Sequence, residues 1–350
     1  MDAAPHLLDR HPREWPRACE ELGGRAFHGK SAAQWIFRRG AGSWDEMSDL
    51  PAGLRERLKA EHPFPRARLA ARSAAADGAV KVLLALPDDA TVEAVSMPGT
   101  RGLTICISTQ VGCPVRCTFC ASGLEGLARN LTSGEIIEQA LWLRREAGPF
   151  GRVVVMGMGD AGHNLDATLA ALDALLDEEG MGLAARRVTL STVGPKGALE
   201  RIAAWGKQVT LALSVHAPDD ALRHELVPGV RKRALADTLA EADALFSATG
   251  REYTVEYVLL EGVNDTPAQA RALGRLLRGR RCHVNLIPWN PVAGMAFHCP
   301  PRARQELFAQ TLRDAGASVT LRRSLGRETD AACGQLRRRS LPIAPPPQAV

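Results

Sequence analysis

The chain has 350 residues, 24% of them charged, and a formal net charge of +5. That length holds one large domain plus a smaller one. With no apolar run of about 18 residues there is no membrane-spanning helix to expect, and the opening Met-Asp-Ala-Ala-Pro-His lacks the basic and apolar regions of a secretion signal. The expectation is a cytoplasmic protein with no membrane partner. In that reducing compartment the eight cysteines suit metal binding or catalysis better than a disulfide framework.

Residues 1–90 read as a separate accessory module. Trp35-Ile36-Phe37 and the stretch from Leu50 to Leu58 suggest short helices, and Ala79 to Leu86 suggests a strand. From Leu103 the pattern becomes a regular alternation. Apolar strands are predicted at Leu103–Ser108, Val153–Met156, Val188–Ser191, Val209–Val215, Tyr253–Leu260 and His283–Pro288. Helical patterns lie between them, among them Leu165–Leu176, Leu235–Phe246 and Ala268–Leu277. Near-continuous apolar strands alternating with amphipathic helices mean a parallel sheet. Six such units predict an α/β fold, a partial (β/α)6 barrel, over a core from 91 to 337 whose C-terminal extension carries Cys333. The Pro-rich residues 338–350 read as a disordered tail.

In parallel α/β folds the site lies at the C-terminal ends of the strands. Polar segments fall there: Gly157-Met-Gly-Asp160, Ser191-Thr192, Ser214-Val-His216 and Trp289-Asn290. The first strand is followed by Gly-Cys113-Pro-Val-Arg-Cys117-Thr-Phe-Cys120. A thiolate-held iron–sulfur cluster normally takes four protein ligands. Three cysteines in C-x3-C-x2-C spacing leave one iron open to a substrate or cofactor. Zinc is the competing reading, but it wants a fourth Cys or His, and the next histidine is His163. Three structural thiols so closely spaced are a weaker alternative.

Charge is unevenly placed. From Pro301 onward there are nine Arg against four Asp and Glu. Arg280-Arg281, Arg322-Arg323 and Arg337-Arg338-Arg339 are local concentrations, suited to phosphate and so to nucleic acid. A solvated Arg-rich face is the plainer reading. Trp15, Trp35 and Trp44 of the accessory module could stack on bases or form its core.

The cysteine spacing after an apolar strand resembles the radical S-adenosylmethionine (SAM) superfamily. Five segments narrow the resemblance to the RlmN/Cfr RNA (adenine) methyltransferases: Gln110-Val-Gly-Cys113, Gly157-Met-Gly-Asp160, Ser214-Val-His-Ala-Pro218, Pro288-Trp-Asn-Pro291 and Asp330-Ala-Ala-Cys-Gly-Gln335. The resemblance runs from about Phe27 to Leu336 and favours the RlmN-like branch. It implies methylation of adenosine C2 in 23S rRNA, in tRNA, or in both. A Cfr-like C8 outcome and a non-methylating RNA-binding paralogue are the alternatives.

The resemblance also assigns residues. Cys113, Cys117 and Cys120 hold one 4Fe-4S cluster, reduced by a donor such as flavodoxin or ferredoxin. Gly159, Asp160, Ser191, Ser214, Val215, His216 and Asn290 contact SAM. Cys333 carries a methyl group taken from a first SAM. A second SAM yields a 5′-deoxyadenosyl radical that activates that group for addition to adenine. Cys106 then resolves the adduct by closing a disulfide with Cys333, and Glu93 accepts a proton. From the residues alone, Cys106 could be a buried strand cysteine and Glu93 an outward strand residue. Where the family has Glu-Pro, this chain has Asp160-Ala161, which keeps the charge but shortens its reach. A flexible Gly157-Met-Gly159 loop would let backbone approach the ligand.

Overall fold

The computed structural model describes residues 6–100, 102–322 and 335. The chain opens with α1 (Trp15–Glu21) and α2 (Ala26–Ala33), a wide π-helical turn over Gln34–Arg39, and α3 (Ala52–Glu61). Trp15 and Trp44 are fully buried here, Trp15 against Phe37 at 5.5 Å and Trp44 donating its indole N–H to the His62 carbonyl at 2.7 Å. They are core residues and unavailable for stacking on bases. Trp35 sits at the edge, bonded to Asp49 at 2.7 Å with the Arg39 guanidinium 4.3 Å from its ring centre.

Three antiparallel strands follow, β1 (Arg68–Ala74), β2 (Val80–Ala85) and β3 (Thr91–Met97), and β3 pairs antiparallel with β4 (Leu103–Cys106). This meander straddles residue 90. β5 (Gln110–Gly112) and β6 (Leu127–Asn130) pair with each other and bracket the cysteine segment. Then come α4 (Ser133–Ala147), β7 (Phe150–Val155), α5 (Leu165–Leu176), β8 (Val188–Thr192), α6 (Ala198–Trp205) and β9 (Thr210–Ser214). Next are α7 (Asp220–Leu226), α8 (Leu235–Thr249), β10 (Tyr253–Leu259), α9 (Pro267–Leu276), β11 (Cys282–Pro288), α10 (Arg302–Asp314) and β12 (Ser318–Leu321).

The main sheet has ten strands in the order β1-β2-β3-β4-β7-β8-β9-β10-β11-β12. From β4 onward all neighbours are parallel, and β4 and β12 are not paired, so the barrel is open. The six expected βα units are present, and β12 adds a further parallel strand that the sequence reading missed. Its residues alternate between exposed and half-buried, which leaves no apolar run to recognise.

Paired residues on neighbouring strands share a face. Ile105, Val153, Val188, Leu190, Leu211 and Val255 lie in the main apolar core, under the helices. The other face mixes polar side chains with apolar ones. Lys81 pairs with Val95, Val95 with Cys106, and Cys106 with Val154. Further round the same face, Ser191 pairs with Ala212, Ser214 with Glu256, and Glu256 with Asn285. Cys106, Ser191, Ser214 and Glu256 therefore look into one open barrel.

α4 ties the N-terminal helices to this barrel. Its buried Glu138 accepts from His6 Nε2 at 2.9 Å and from the backbone N–H groups of Arg66 and Ala67 at 2.7 and 2.8 Å. Asp9 accepts from Ser133 Oγ at 3.0 Å and Gly134 N–H at 2.7 Å, at the start of the same helix.

Candidate active site

A cavity opens at the C-terminal ends of the parallel strands. Cys113, Cys117 and Cys120 line one wall; Gly157, Gly159, Asp160, Ser191, Ser214 and His216 line the other. Val115, Phe119, Val155, Val193, Val258, Ile287 and Trp289 supply an apolar lining that limits water.

The cysteine segment is held from both sides. Trp289 donates its indole N–H to the Phe119 carbonyl at 2.9 Å. On the far side, Thr118 N–H donates to Leu226 O at 3.0 Å and Gly229 N–H to Val115 O at 2.8 Å. A Cβ on Gly229 would lie 2.6 Å from the Val115 Cα, so only glycine permits this approach. All three cysteines are free thiols. Burial, above all, pushes Cys113 up to about 12 and raises Cys117 and Cys120 as well, and Cys120 and Cys113 each raise Cys117 further. Thiolates crowded in such a place need a cation, and metal coordination is what deprotonates them. Among the described residues, no three His, Cys, Asp or Glu are set to hold a single metal ion. A cluster makes no such demand, because each thiolate takes a different iron. The donor set fits a three-cysteine cluster.

Gly157 and Gly159 are packed tightly, which corrects the expectation of a flexible loop. A Cβ on Gly157 would lie 2.5 Å from Ser108 Oγ and 2.7 Å from the Ile107 carbonyl. Gly159 has φ +97°, and its Cβ would lie 2.7 Å from Gln110 Cβ. Here glycine lets the turn press on the backbone after β4, where Asp160 N–H donates to Gln110 Oε1 at 2.8 Å.

Asp160 is buried and folds back on its own turn. Its Oδ1 accepts from Gly162 N–H at 2.9 Å and Thr192 Oγ1 at 2.8 Å and lies 3.1 Å from His163 Nδ1. Oδ2 accepts from Val193 N–H alone at 2.7 Å. A carboxylate oxygen has two lone pairs, so Oδ2 keeps one for an incoming donor. The short side chain suits this turn, since Asp readily bonds the backbone N–H two residues on.

His216 takes a left-handed backbone, φ +63°. Its Nδ1 accepts from Val258 N–H at 3.2 Å, which leaves the ring proton on Nε2. Burial, helped by the nearby Arg223 charge, pushes its pKa down to about 3, so it is a neutral imidazole at physiological pH. Val215 and Asn290 are buried and do not line the cavity; Val215 N–H instead donates to the Glu256 carbonyl at 3.0 Å.

Cys106 is 9% exposed and packs with Val95, Met158 and Met156, the last of which reaches the cavity wall. Glu93 is 1% exposed, not outward-facing, and pairs with Lys81 at 3.2 Å. Cys333, Arg323 and Arg337 to Arg339, like the tail 338–350, lie outside the described residues. Arg280 and Arg281 are paired with Asp243 and Glu252.

Three groups escaped the sequence reading. Glu256, on the cavity wall, accepts from Thr254 Oγ1 at 2.7 Å and Asn285 Nδ2 at 2.9 Å. Lys81 and the buried Arg223 are the others. Only tertiary pairing distinguishes them from ordinary strand and helix charges.

An open parallel barrel with three free cysteines at its C-terminal mouth, facing a glycine turn and strand-end hydroxyls, defines a radical SAM protein. Comparison agrees: the Radical SAM superfamily model matches residues 107–271. The model described as the ribosomal RNA large subunit methyltransferase N-terminal domain matches residues 6–62. A crystal structure of a radical SAM methyltransferase from Sphaerobacter thermophilus is similar at TM-score 0.92 and 40% identity, covering 95% of this chain and 99% of that one. The probable dual-specificity RNA methyltransferase RlmN of Rhodopirellula baltica is 44% identical over 95% of this chain and 91% of its own. Its counterpart in Thermosynechococcus vestitus is 42% identical over 96% and 99%. The chain belongs to the RlmN family of radical SAM RNA methyltransferases.

Proposed function

We propose that this protein methylates C2 of adenosine in 23S rRNA, tRNA or both, with two SAM molecules and with Cys333 as the methyl carrier. The observation that carries this reading is the cavity itself. It brings three free thiols opposite Gly157, Gly159, Asp160, Ser191, Ser214 and His216, in a barrel whose inner face bears Cys106. The dual-specificity name borne by the relatives supports two classes of RNA substrate.

Cys113, Cys117 and Cys120 would hold a 4Fe-4S cluster with one iron open to SAM. When bound, that group supplies one-electron cleavage of the SAM sulfonium, reduced by a flavodoxin- or ferredoxin-class donor. Asp160 Oδ2 takes the methionine ammonium as a charge-assisted acceptor. Ser191 and Ser214 line the rest of the SAM site, the buried Val215 and Asn290 support it without lining the cavity, and the neutral His216 offers a donor from Nε2. The apolar wall keeps water from the reacting atoms. Glu93, paired with Lys81 at 3.2 Å, is the proton acceptor. Cys106 displaces the product by forming a disulfide with Cys333, and thiols in the cytoplasm reset the pair.

The test is mass spectrometry of nucleosides from rRNA and tRNA of a strain lacking the gene, against its parent. Loss of 2-methyladenosine from either pool is expected and names the substrate. Loss of 8-methyladenosine instead, or no change in any methyladenosine, overturns the C2 reading.

A further inference from the structure

Arg223, on α7, is fully buried, and it is the one arginine buried outright among the described residues. Its Nη2 donates to Val193 O at 3.0 Å and Ser214 O at 3.2 Å. Nε and Nη1 have no hydrogen-bond partner among the described residues, and no carboxylate there lies within 4.0 Å of the guanidinium. A buried charge with part of its hydrogen-bonding capacity unmet is costly, and a buried unsatisfied group of this kind calls for an explanation.

Arg223 stands beside the cavity. Val193 and Ser214, which hold its Nη2, are both cavity residues. The helix that carries it is bonded to the cysteine segment through Thr118 N–H to Leu226 O at 3.0 Å, and Leu222 and Leu226 pack in one apolar cluster with Cys113. Arg223 itself does not line the cavity. It stands behind the wall, where it can act through space and not by touching a small ligand. Burial lowers the guanidinium to about 10, while the charge of Asp220 first, and then of Cys117 and Asp160, holds it up.

We propose that Arg223 is a fixed countercharge for the anionic iron–sulfur cluster at Cys113, Cys117 and Cys120, and that it raises the reduction potential of that cluster. A cluster held by three thiolates is an anion and gains a further negative charge on reduction. A buried cation close behind it favours the reduced state, and burial and nearby charge are among the factors that set such potentials. Arg223 is a positioning residue of electrostatic kind, with no contact to SAM or RNA. The inference rests on the cluster reading above.

The experiment compares wild type, Arg223→Lys and Arg223→Met, each reconstituted with iron and sulfide under anaerobic conditions. Iron content, circular dichroism and the reduction potential, from an EPR-monitored titration without SAM, are measured for each, followed by SAM affinity. Arg223→Met is expected to shift the reduction equilibrium at least tenfold towards the oxidised cluster, about 59 mV for one electron, with Arg223→Lys near wild type. If Arg223→Met folds but takes up no cluster while Arg223→Lys does, the countercharge role also stands. An unchanged potential in a cluster-bearing Arg223→Met overturns the inference. Weakened SAM binding at unchanged potential overturns it too and assigns the guanidinium to the SAM carboxylate. Loss of cluster from both variants reduces Arg223 to a structural role and likewise overturns it. Wild type that binds no iron sinks the cluster reading itself, a failure distinct from these.

Discussion

Lys81 Nζ lies 3.2 Å from Glu93 Oε1, and neither side chain is more than 7% exposed. The two residues come from adjacent strands, two positions apart in the ladder, since Lys81 pairs with Val95 and Leu83 with Glu93. Both look into the barrel on the face that carries Cys106. Lys81→Met removes the cation that lies 3.2 Å from the buried Glu93 carboxylate, and loss of one member of a buried ion pair costs up to about 3–5 kcal/mol. Lys81→Met is expected to lose that much stability in urea unfolding at neutral pH. Lys81→Met combined with Glu93→Leu should recover most of it, because an apolar pair of similar volume has no charge to desolvate. A Lys81→Met protein as stable as wild type would show that the pair is not the buried unit described here.

Gly159 is strained for any other residue. Its φ is +97°, and an added Cβ would meet Gln110 Cβ at 2.7 Å and Thr109 Oγ1 at 2.8 Å. Gly159→Ala should therefore cost about 1–3 kcal/mol for backbone strain, with a similar contribution from overpacking. Because Asp160 follows directly, the carboxylate moves with the turn, and SAM affinity should fall at least tenfold. Thermal unfolding and equilibrium SAM binding test both effects. Wild-type affinity in a destabilised Gly159→Ala would separate the turn from the SAM site.

The outer face of the barrel was legible in the sequence because it is apolar at every other position and helices cover it. Leu165–Leu176 was recovered residue for residue, and the strand from Tyr253 differs only at its end. The cysteine segment was legible because its ligands are local in sequence. What escaped depends on register. Lys81 and Glu93 are single charges in two apolar runs, and nothing in either run says that the other lies within reach across the ladder. Arg223 is one of four polar residues in a short helix, a pattern that reads as surface until the carbonyls of Val193 and Ser214 are found on its guanidinium. Glu256 sits in a strand whose neighbours are apolar, and only pairing with Ser214 and Asn285 turns it towards the cavity. The reason for Gly157 and Gly159 was misjudged in the same way: what demands glycine is the segment after β4, the Ile107 backbone and Ser108 for Gly157 and the side chains of Thr109 and Gln110 for Gly159, nearly fifty residues earlier.

Cys113, Cys117 and Cys120 line one cavity as free thiols, so each is expected to be indispensable to the cluster. Replacing any one with Ala should remove cluster absorbance and SAM cleavage together after anaerobic reconstitution. Retention of both in any single variant would refute the ligand assignment. Cys333→Ala is the control: it should keep the cluster and abolish methyl transfer.

Cys106 stands on the inner face, paired across β3 and β7 with Val95 and Val154 and packed on Met158. It is 9% exposed, so its thiol is shielded from solvent and from casual oxidation, yet it adjoins Met156 on the cavity wall. A resolving thiol must meet the adduct formed in the cavity, and Cys106 stands on the inner face in one cluster with the cavity-wall residue Met156. Cys106→Ala exchanges a small apolar-packing side chain for a smaller one, so the fold and the cluster should survive. The adduct, once formed, would have no thiol to release it. Incubation with substrate RNA, SAM and reductant should leave protein and RNA joined through a methylene bridge to Cys333. The product appears as a slow band on a denaturing gel and vanishes when Cys333→Ala is added to the same chain. Free methylated RNA from Cys106→Ala at the wild-type rate would remove Cys106 from the reaction and leave it a packing residue.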